Sequence, residues 1–316
     1  MTSAPRASDL PVPLGASNVP KPDGTPGNLK VLDWAGFKAA VSYTFDDTNS
    51  SQIEHYDELQ ALGVHYTFYL TTNKTAELAD PVWVQAVKDG HELGNHTRSH
   101  EDQDPGGVDT DAATKTLEDK FGIEVYTMAA PYGSGAYIDI ARTRFLINRG
   151  VQSEPLIAPN DDSDPFSLTC YIPNERASAT GEMNAQIDAA RAAGKWRIVL
   201  VHGFVGGSDY AYLPVELSEF LENVSYAKEF GDLWIDSVVN VGAYWRGQKA
   251  FRSAQPTQEG SDTVWKWTLP AHFPPGKYLR VRVDGGTLTQ NGAPLTWDPH
   301  GYYEVALDAG TLTLSP

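Results

Sequence analysis

The chain has 316 residues, 41% of them apolar and 11% aromatic, which suits one large domain or a large and a small one and excludes a disordered chain. Its formal net charge of −17 disfavours a nucleic-acid backbone or an anionic membrane as partner and fits a neutral or cationic substrate, although acidity also simply keeps a protein soluble. The single cysteine, Cys170, excludes an internal disulfide and a cysteine-rich zinc site, and no run of about 18 apolar residues is present to insert into a membrane.

Residues 1–30 are rich in Pro, Gly, Ser and Ala and lack apolar periodicity. They are expected to be a flexible leader of the kind left after a secretion signal is removed, so the expected location is secreted or periplasmic, with the cytoplasm as the alternative. Val41 to Phe45 then reads as a strand ending in Asp46 and Asp47. Ile53, Tyr56, Leu59 and Leu62 recur at helical spacing and stop at Gly63. Val64, Tyr66, Phe68 and Leu70 alternate as in a strand. Asp80-Pro81 opens a helix closed by Gly90, and His91 to Gly94 is a short strand. His96 and His100 follow; on a helix or helical turn this spacing puts both imidazoles on one face, able to reach one metal ion. Such a pair needs a third ligand, and the Asp46-Asp47 pair can supply it, one carboxylate binding metal and the other remaining free as a base.

The alternation continues with a helix over 110–121, a strand over 123–129, a helix over 137–149 ended by Gly150, and a helix over 183–193. Arg197 to Val201 is a buried strand ending at His202, followed by a helix over 214–230 and a strand over 233–238. These are roughly seven β-then-α units, the pattern of a parallel sheet that closes into a barrel, with chemistry expected at the C-terminal strand ends. Asp46, Asp47, His96, Pro131, Tyr132 and His202 all fall there. After about Trp245 the composition shifts to short alternating runs with Gly and Pro, a small antiparallel β-module. Its aromatic residues, Trp265, Trp267, Tyr278, Trp297, Tyr302 and Tyr303, offer ring faces for sugars but more often serve packing. The expected divisions are a leader over 1–30, a barrel over 31–245 and the β-module over 246–316.

Thr44-Phe45-Asp46-Asp47, followed about fifty residues on by His96-Thr97-Arg98-Ser99-His100, resembles the first two motifs of the polysaccharide deacetylase family, the carbohydrate esterase family 4 or NodB-homology enzymes. The lead-in Gly90 to Asn95, Ala130-Pro131-Tyr132-Gly133 (third motif) and Leu200-Val201-His202 (fifth motif) extend the resemblance from about Val41 to His202. It implies a distorted (β/α)7-type barrel of the α/β class and metal-dependent hydrolysis. Asp47, His96 and His100 would hold a divalent metal, with Zn2+ expected, although two histidines and a carboxylate also suit non-haem iron. Asp46 would be the general base and His202 the general acid. The Tyr132 N–H would face the oxyanion, with Pro131 and Leu200 lining the acyl pocket.

Two features depart from the family pattern. The third motif's arginine is replaced by Ala129, so Asp46 must be oriented by another group, with Arg98 or Arg142 expected to substitute. The fourth motif, which braces the acid histidine, has no clear match; Gln152, Ser153, Glu154 or the Asp161 loop is expected in its place. The implied function is removal of N-acetyl groups from an amino-sugar polymer or oligomer. O-acetyl ester hydrolysis on a polysaccharide such as acetylxylan is one rival, and a non-catalytic carbohydrate binder on a decayed scaffold is another. The implied partner is an acetylated carbohydrate, and the sequence gives no oligomeric state.

Overall fold

The structure is a computed structural model that describes residues 8–15, 17–174 and 179–316. The expected leader over 1–30 therefore falls partly outside the described residues. The chain divides into two compact units, residues 38–242 and a smaller one formed by the residues up to Phe37 together with Ala243–Pro316.

In chain order β1 (Lys30–Val31) belongs to the smaller unit and β2 (Ala39–Asp46) opens the larger one. The larger unit continues with β3 (Thr67–Leu70), β4 (Glu92–Asn95), β5 (Thr127–Ala129), β6 (Ile147–Arg149), β7 (Trp196–Val201) and β8 (Leu233–Ile235). All pair in parallel in the order β6-β5-β4-β3-β2-β7, with β8 also on β2. The gap between β6 and β7 is bridged by the irregular segment 165–171. On one side Leu168 N donates to Asn148 O at 3.1 Å and Gly150 N to Leu168 O at 2.8 Å; on the other, Tyr171 N donates to Ile198 O and Leu200 N to Tyr171 O, both at 2.8 Å. The ring thereby closes as the distorted barrel that the alternation of elements predicts.

The strands alternate strictly in what they bury. Val41, Tyr43, Phe45, Phe68, Leu93, Met128, Val199 and Val201 join the apolar core beneath the helices, where Phe45 stacks on Phe68 with ring centroids 5.1 Å apart. The opposite face fills the barrel with apolar side chains such as Trp196, Ile198 and Leu200 and with polar ones that satisfy one another. Glu92 accepts from Thr67 Oγ1 (2.7 Å), Thr127 Oγ1 (2.5 Å) and Val239 N (2.8 Å), and Trp196 Nε1 donates to Ser42 Oγ at 3.1 Å. Gly94 is required in this interior, because a Cβ there would lie 2.5 Å from the Tyr69 ring.

The helices of the larger unit are α1 (Ser50–Glu54), α2 (Tyr56–Ala61), α3 (Thr75–Leu78), α4 (Val82–Lys88), α5 (Val108–Phe121), α6 (Ile138–Arg142), α7 (Asn184–Ala193) and α8 (Leu217–Glu229); α9 (Val238–Ser253) follows. Two sequence expectations are corrected. The helix starting at Ile53 is broken at His55, whose φ of −106° and ψ of 15° leave the helical region. The helix expected over 137–149 ends at Arg142. Phe145, Leu146 and Ile147 are an apolar run that goes wholly into the core as the approach to β6, which carries Arg149 at its end.

The smaller unit holds two antiparallel sheets, ordered β1-β11-β15-β14 and β13-β12-β16-β10-β9. Their strands are β9 (Thr257–Glu259), β10 (Asp262–Lys266), β11 (Tyr278–Arg282), β12 (Thr287–Gln290), β13 (Ala293–Pro294), β14 (Trp297–Asp298), β15 (Tyr302–Ala306) and β16 (Thr311–Ser315). Trp267, Tyr302 and Tyr303 are buried and therefore pack, while Trp265, Tyr278 and Trp297 are half-buried. The early chain lies along this unit: Arg280 donates to the carbonyls of Leu10 and Pro11, Val19 N to Pro299 O, and Gly24 N to Asp284 O.

Candidate active site

The C-terminal end of β2 delivers the two carboxylates. Asp46 ends the strand and is 2% exposed; Asp47 and Thr48 then take left-handed φ values of 77° and 56° and turn the chain into α1. Non-glycine residues held in that region mark a backbone whose surroundings over-determine it. Thr48 Oγ1 accepts from Thr71 N at 2.8 Å. Asn49 and Gln52 both donate to His202 O at 2.7 Å, and Gln52 also donates to Asp46 O at 2.5 Å. Two amides at the start of α1 thus tie the ends of β2 and β7 together. Since Phe45 pairs with Val201, Asp46 and His202 stand level across the rim.

His96 follows β4 and points into the barrel. The segment from His96 to His100 is a loop, not the helical turn that their spacing suggests. Thr97 and His100 have φ values of 61° and 55°, which no helix permits. Side chains fold this loop: Asn95 Oδ1 accepts from Thr97 N at 2.7 Å, and Thr97 Oγ1 from His100 N at 3.0 Å. Asp109 receives Arg98 N at 2.9 Å, and Ser99 through both its N and its Oγ. The result still brings both rings to one point. Asp47 Oδ1 lies 3.2 Å from His96 Nε2 and 3.3 Å from His100 Nε2, and the three donor atoms fall within 4.8 Å of one another.

The chemistry of this donor set fits a divalent cation. His96 Nδ1 lies 2.8 Å from Ala129 O, so it donates there and leaves Nε2 with a lone pair directed at Asp47. Two acceptors facing each other at 3.2 Å need a positive charge between them, either a proton or a metal ion. The electrostatics agree. Burial would raise the Asp47 carboxyl, but the hydrogen bond from His96 and the nearby charges of His96, His202 and His100 hold it well below the usual carboxylate range. Burial would lower His96, yet Asp46 and Asp47 raise it on balance; His100 is lowered, by burial first and then by His96.

Asp46 borders this cluster, its Oδ2 3.6 Å from His96 Nε2, but its main partner is an arginine. Arg149, fully buried at the end of β6, points one guanidinium nitrogen at both Asp46 oxygens, each at 2.5 Å. It also lies 5.4 Å from the Tyr69 ring centroid, and burial acts to lower its pKa while Asp46 raises it further. Arg149, not Arg98 or Arg142, therefore meets the carboxylate that the Ala129 substitution would have left unheld. Arg98 is exposed, and Arg142 pairs with Asp164 at 2.8 Å. The only hint in the sequence is an arginine ending the apolar run Phe145 to Ile147 just before Gly150, a strand end obscured by the helical reading.

His202 sits one residue past β7, above Leu200, which is buried and faces the interior level with Thr44. None of the residues expected to replace the fourth motif braces it. Gln152 O accepts from Cys170 N, Ser153 O and Glu154 receive Arg197, and Asp161 accepts from Ala158 N and Ser163 N. His202 Nδ1 is buried without a hydrogen-bond partner among the described residues, and the Tyr212 ring meets its ring edge-on at 5.2 Å. Burial lowers its pKa, opposed by Asp46 and Asp47. Pro131 and Tyr132 form a tight turn after β5; Tyr132 has φ 57°, and its ring lies 4.6 Å from His100. Asp46, Asp47, His96, His100, Tyr132 and His202 thus come to one rim, with Pro131 in the turn of Tyr132 and Leu200 below it inside the barrel. Arg149, Asn49, Gln52 and Asp109 are the members that sequence reasoning missed.

A model of the family described as Polysaccharide deacetylase matches residues 36–144. A gellan lyase from a Bacillus species is 32% identical over 141 residues, 41% of this chain; the chain spans only 5% of that relative's length. Among solved structures, the Xyl-CE4 domain of a multidomain xylanase from the hindgut metagenome of Trinervitermes trinervoides is 18% identical. It covers 75% of this chain and 99% of its own, with a TM-score of 0.44. A mutant form of the peptidoglycan deacetylase PdaC from Bacillus subtilis is 15% identical over 68% of this chain and 95% of its own, with a TM-score of 0.42. A family 4 acetyl xylan esterase from Clostridium thermocellum, in complex with cobalt, is 15% identical over 64% and 89%, also with a TM-score of 0.42.

Proposed function

We propose that this chain, which through residues 36–144 belongs to the polysaccharide deacetylase family, is a metal-dependent hydrolase that removes N-acetyl groups from an amino-sugar polymer or oligomer. The observation that carries this reading is the convergence of Asp47, His96 and His100 beside a second carboxylate that Arg149 holds by both oxygens. Asp47, His96 and His100 hold the cation, for which Zn2+ is the best match to two imidazoles and one carboxylate with open positions. When bound, such an ion supplies a Lewis acid that acidifies water and polarises an acyl carbonyl.

The protein's own groups do the rest. Asp46, held by the buried guanidinium, takes the proton of the attacking water. Arg149 fixes the orientation in which it does so. The Tyr132 N–H faces the developing oxyanion, and Leu200 with Pro131 packs around the acyl methyl. His202, level with Asp46 across the rim, gives its proton to the leaving nitrogen. The net charge of −17 suits a neutral sugar that becomes an ammonium-bearing product. No helix of the described residues is long and apolar enough to cross a membrane.

The test is acetate release from tetra-N-acetylchitotetraose and from acetylated xylan, with and without prior chelation. The reading predicts release from the amino sugar that chelation abolishes and Zn2+ restores. Preferential release from xylan would assign an ester instead, and no release from either would remove the enzymatic reading.

A further inference from the structure

Among the described residues only three Phe, Tyr or Trp side chains are exposed: Tyr132 at 66%, Tyr210 at 96% and Tyr212 at 64%. Two of them lie against rings of the site, Tyr132 on His100 and Tyr212 on His202, and Tyr210 shares the loop of Tyr212. Large apolar faces left in water at one place mark a surface that something covers.

The loop carrying Tyr210 and Tyr212 is anchored, although its tip is exposed. Val205 N donates to Val215 O and Val215 N to Gly203 O, both at 3.0 Å, closing its base. Asp209 Oδ2 accepts from Ser51 N at 2.7 Å, and Ser51 Oγ accepts from Phe204 N at 3.1 Å. Gly203 and Gly207 allow this close approach, since a Cβ on either would lie within 2.8 Å of Ser51. Tyr210 and Leu213 have φ values of 51° and 46°, so left-handed backbone flanks Tyr212 on both sides. The loop is thus tied to the first turn of α1, which directly follows Asp46 and Asp47.

We infer that the 203–213 loop is a sugar-binding arm, in which Tyr212 stacks on the pyranose ring that bears the acyl group and Tyr210 reaches the neighbouring ring. The inference rests on the hydrolase reading for its placement: a group that receives the His202 proton must lie within hydrogen-bond reach of that ring, and Tyr212 edges the same ring. A pyranose presents a face of C–H bonds that complements the negative face of a phenol ring, and a tyrosine held in place loses little freedom when it binds. The arm selects for a chain of sugars over a small acyl ester.

The test measures calorimetric binding of tetra-N-acetylchitotetraose and of acetylated xylotetraose to metal-loaded Asp46→Asn, with and without Tyr212→Ala. Kd rises about tenfold for whichever sugar the parent binds, and Tyr212→Trp restores it. In the Asp46 enzyme, Tyr212→Ala lowers the ratio of kcat/KM for the oligosaccharide to that for 4-nitrophenyl acetate by about tenfold. An unchanged Kd, an equal loss on both substrates, or no binding of either sugar by the parent overturns the inference. Tight, Tyr212-dependent binding without acetate release from the wild type would sink the hydrolase reading and leave the arm standing.

Discussion

The two sides of the rim are secured in different ways. On the proposed metal side His96 is fixed twice, facing Asp47 through one nitrogen and Ala129 O through the other, and the loop carrying His100 is stitched by Thr97, Asn95 and Asp109. On the acid side only the backbone is gripped. Asn49 and Gln52 hold the carbonyl of His202, while its ring is placed by packing and its Nδ1 has no partner among the described residues. On the proposed roles, a group that would bind an ion in one geometry is locked, and a group that would gain and lose a proton is left without a second hydrogen bond to pin its state.

The largest effect expected from breaking this arrangement is at His100. His100→Ala removes one of two imidazoles, and elemental analysis should show metal occupancy falling to a small fraction with activity following; full occupancy would refute the ligand set. Next comes Arg149. Arg149→Ala should leave metal content intact and lower turnover about 10²- to 10³-fold, because a base without its holder is misplaced. It also strands a buried carboxylate, costing about 3–5 kcal/mol in a denaturant titration. Returning an arginine with Ala129→Arg in that background should recover part of the turnover. No recovery, together with a loss of metal content, would make Arg149 merely structural.

The acid side predicts a pH signature. Burial lowers His202, so kcat/KM should decline as pH rises through a midpoint below the ordinary imidazole value, and His202→Asn should flatten that limb while costing about 10²-fold in rate. The smallest effect lies away from the rim. His91 is lowered to about 4, by burial first and then by His65, and its Nδ1 already accepts from Tyr66 N at 3.0 Å. Its folded-state value lies below its unfolded one, so the neutral ring's contribution is complete above about pH 6.5 and is lost as pH falls towards 4, by roughly 3 kcal/mol. His91→Asn should flatten that acid dependence of stability; an unchanged slope would remove His91 as its source.

What the sequence disclosed follows the same division. Asp46, Asp47, His96 and His202 each lie at or one residue past the end of a strand whose apolar alternation is local, so their arrival at one rim is legible without coordinates. The His96–His100 spacing misleads about conformation, because i and i+4 suit a helix whereas left-handed Thr97 and His100 reach the same convergence through a loop. Arg149 was hidden because residues 137–149 satisfy helical and strand periodicity in turn, and because its partner lies 103 residues away in the chain. Contacts across a barrel of that separation leave no local pattern. The unbraced His202 Nδ1 is likewise an absence that only the packed structure displays.

The most direct measurement sets Asp46→Asn beside Asp47→Asn, with metal content and acetate release determined on the same preparations. Asp46→Asn should retain about one metal ion per chain and lose turnover by roughly 10³-fold or more, while Asp47→Asn loses the ion itself. An Asp46→Asn protein stripped of metal, or an Asp47→Asn protein still loaded with it, would contradict the division of labour between the two carboxylates.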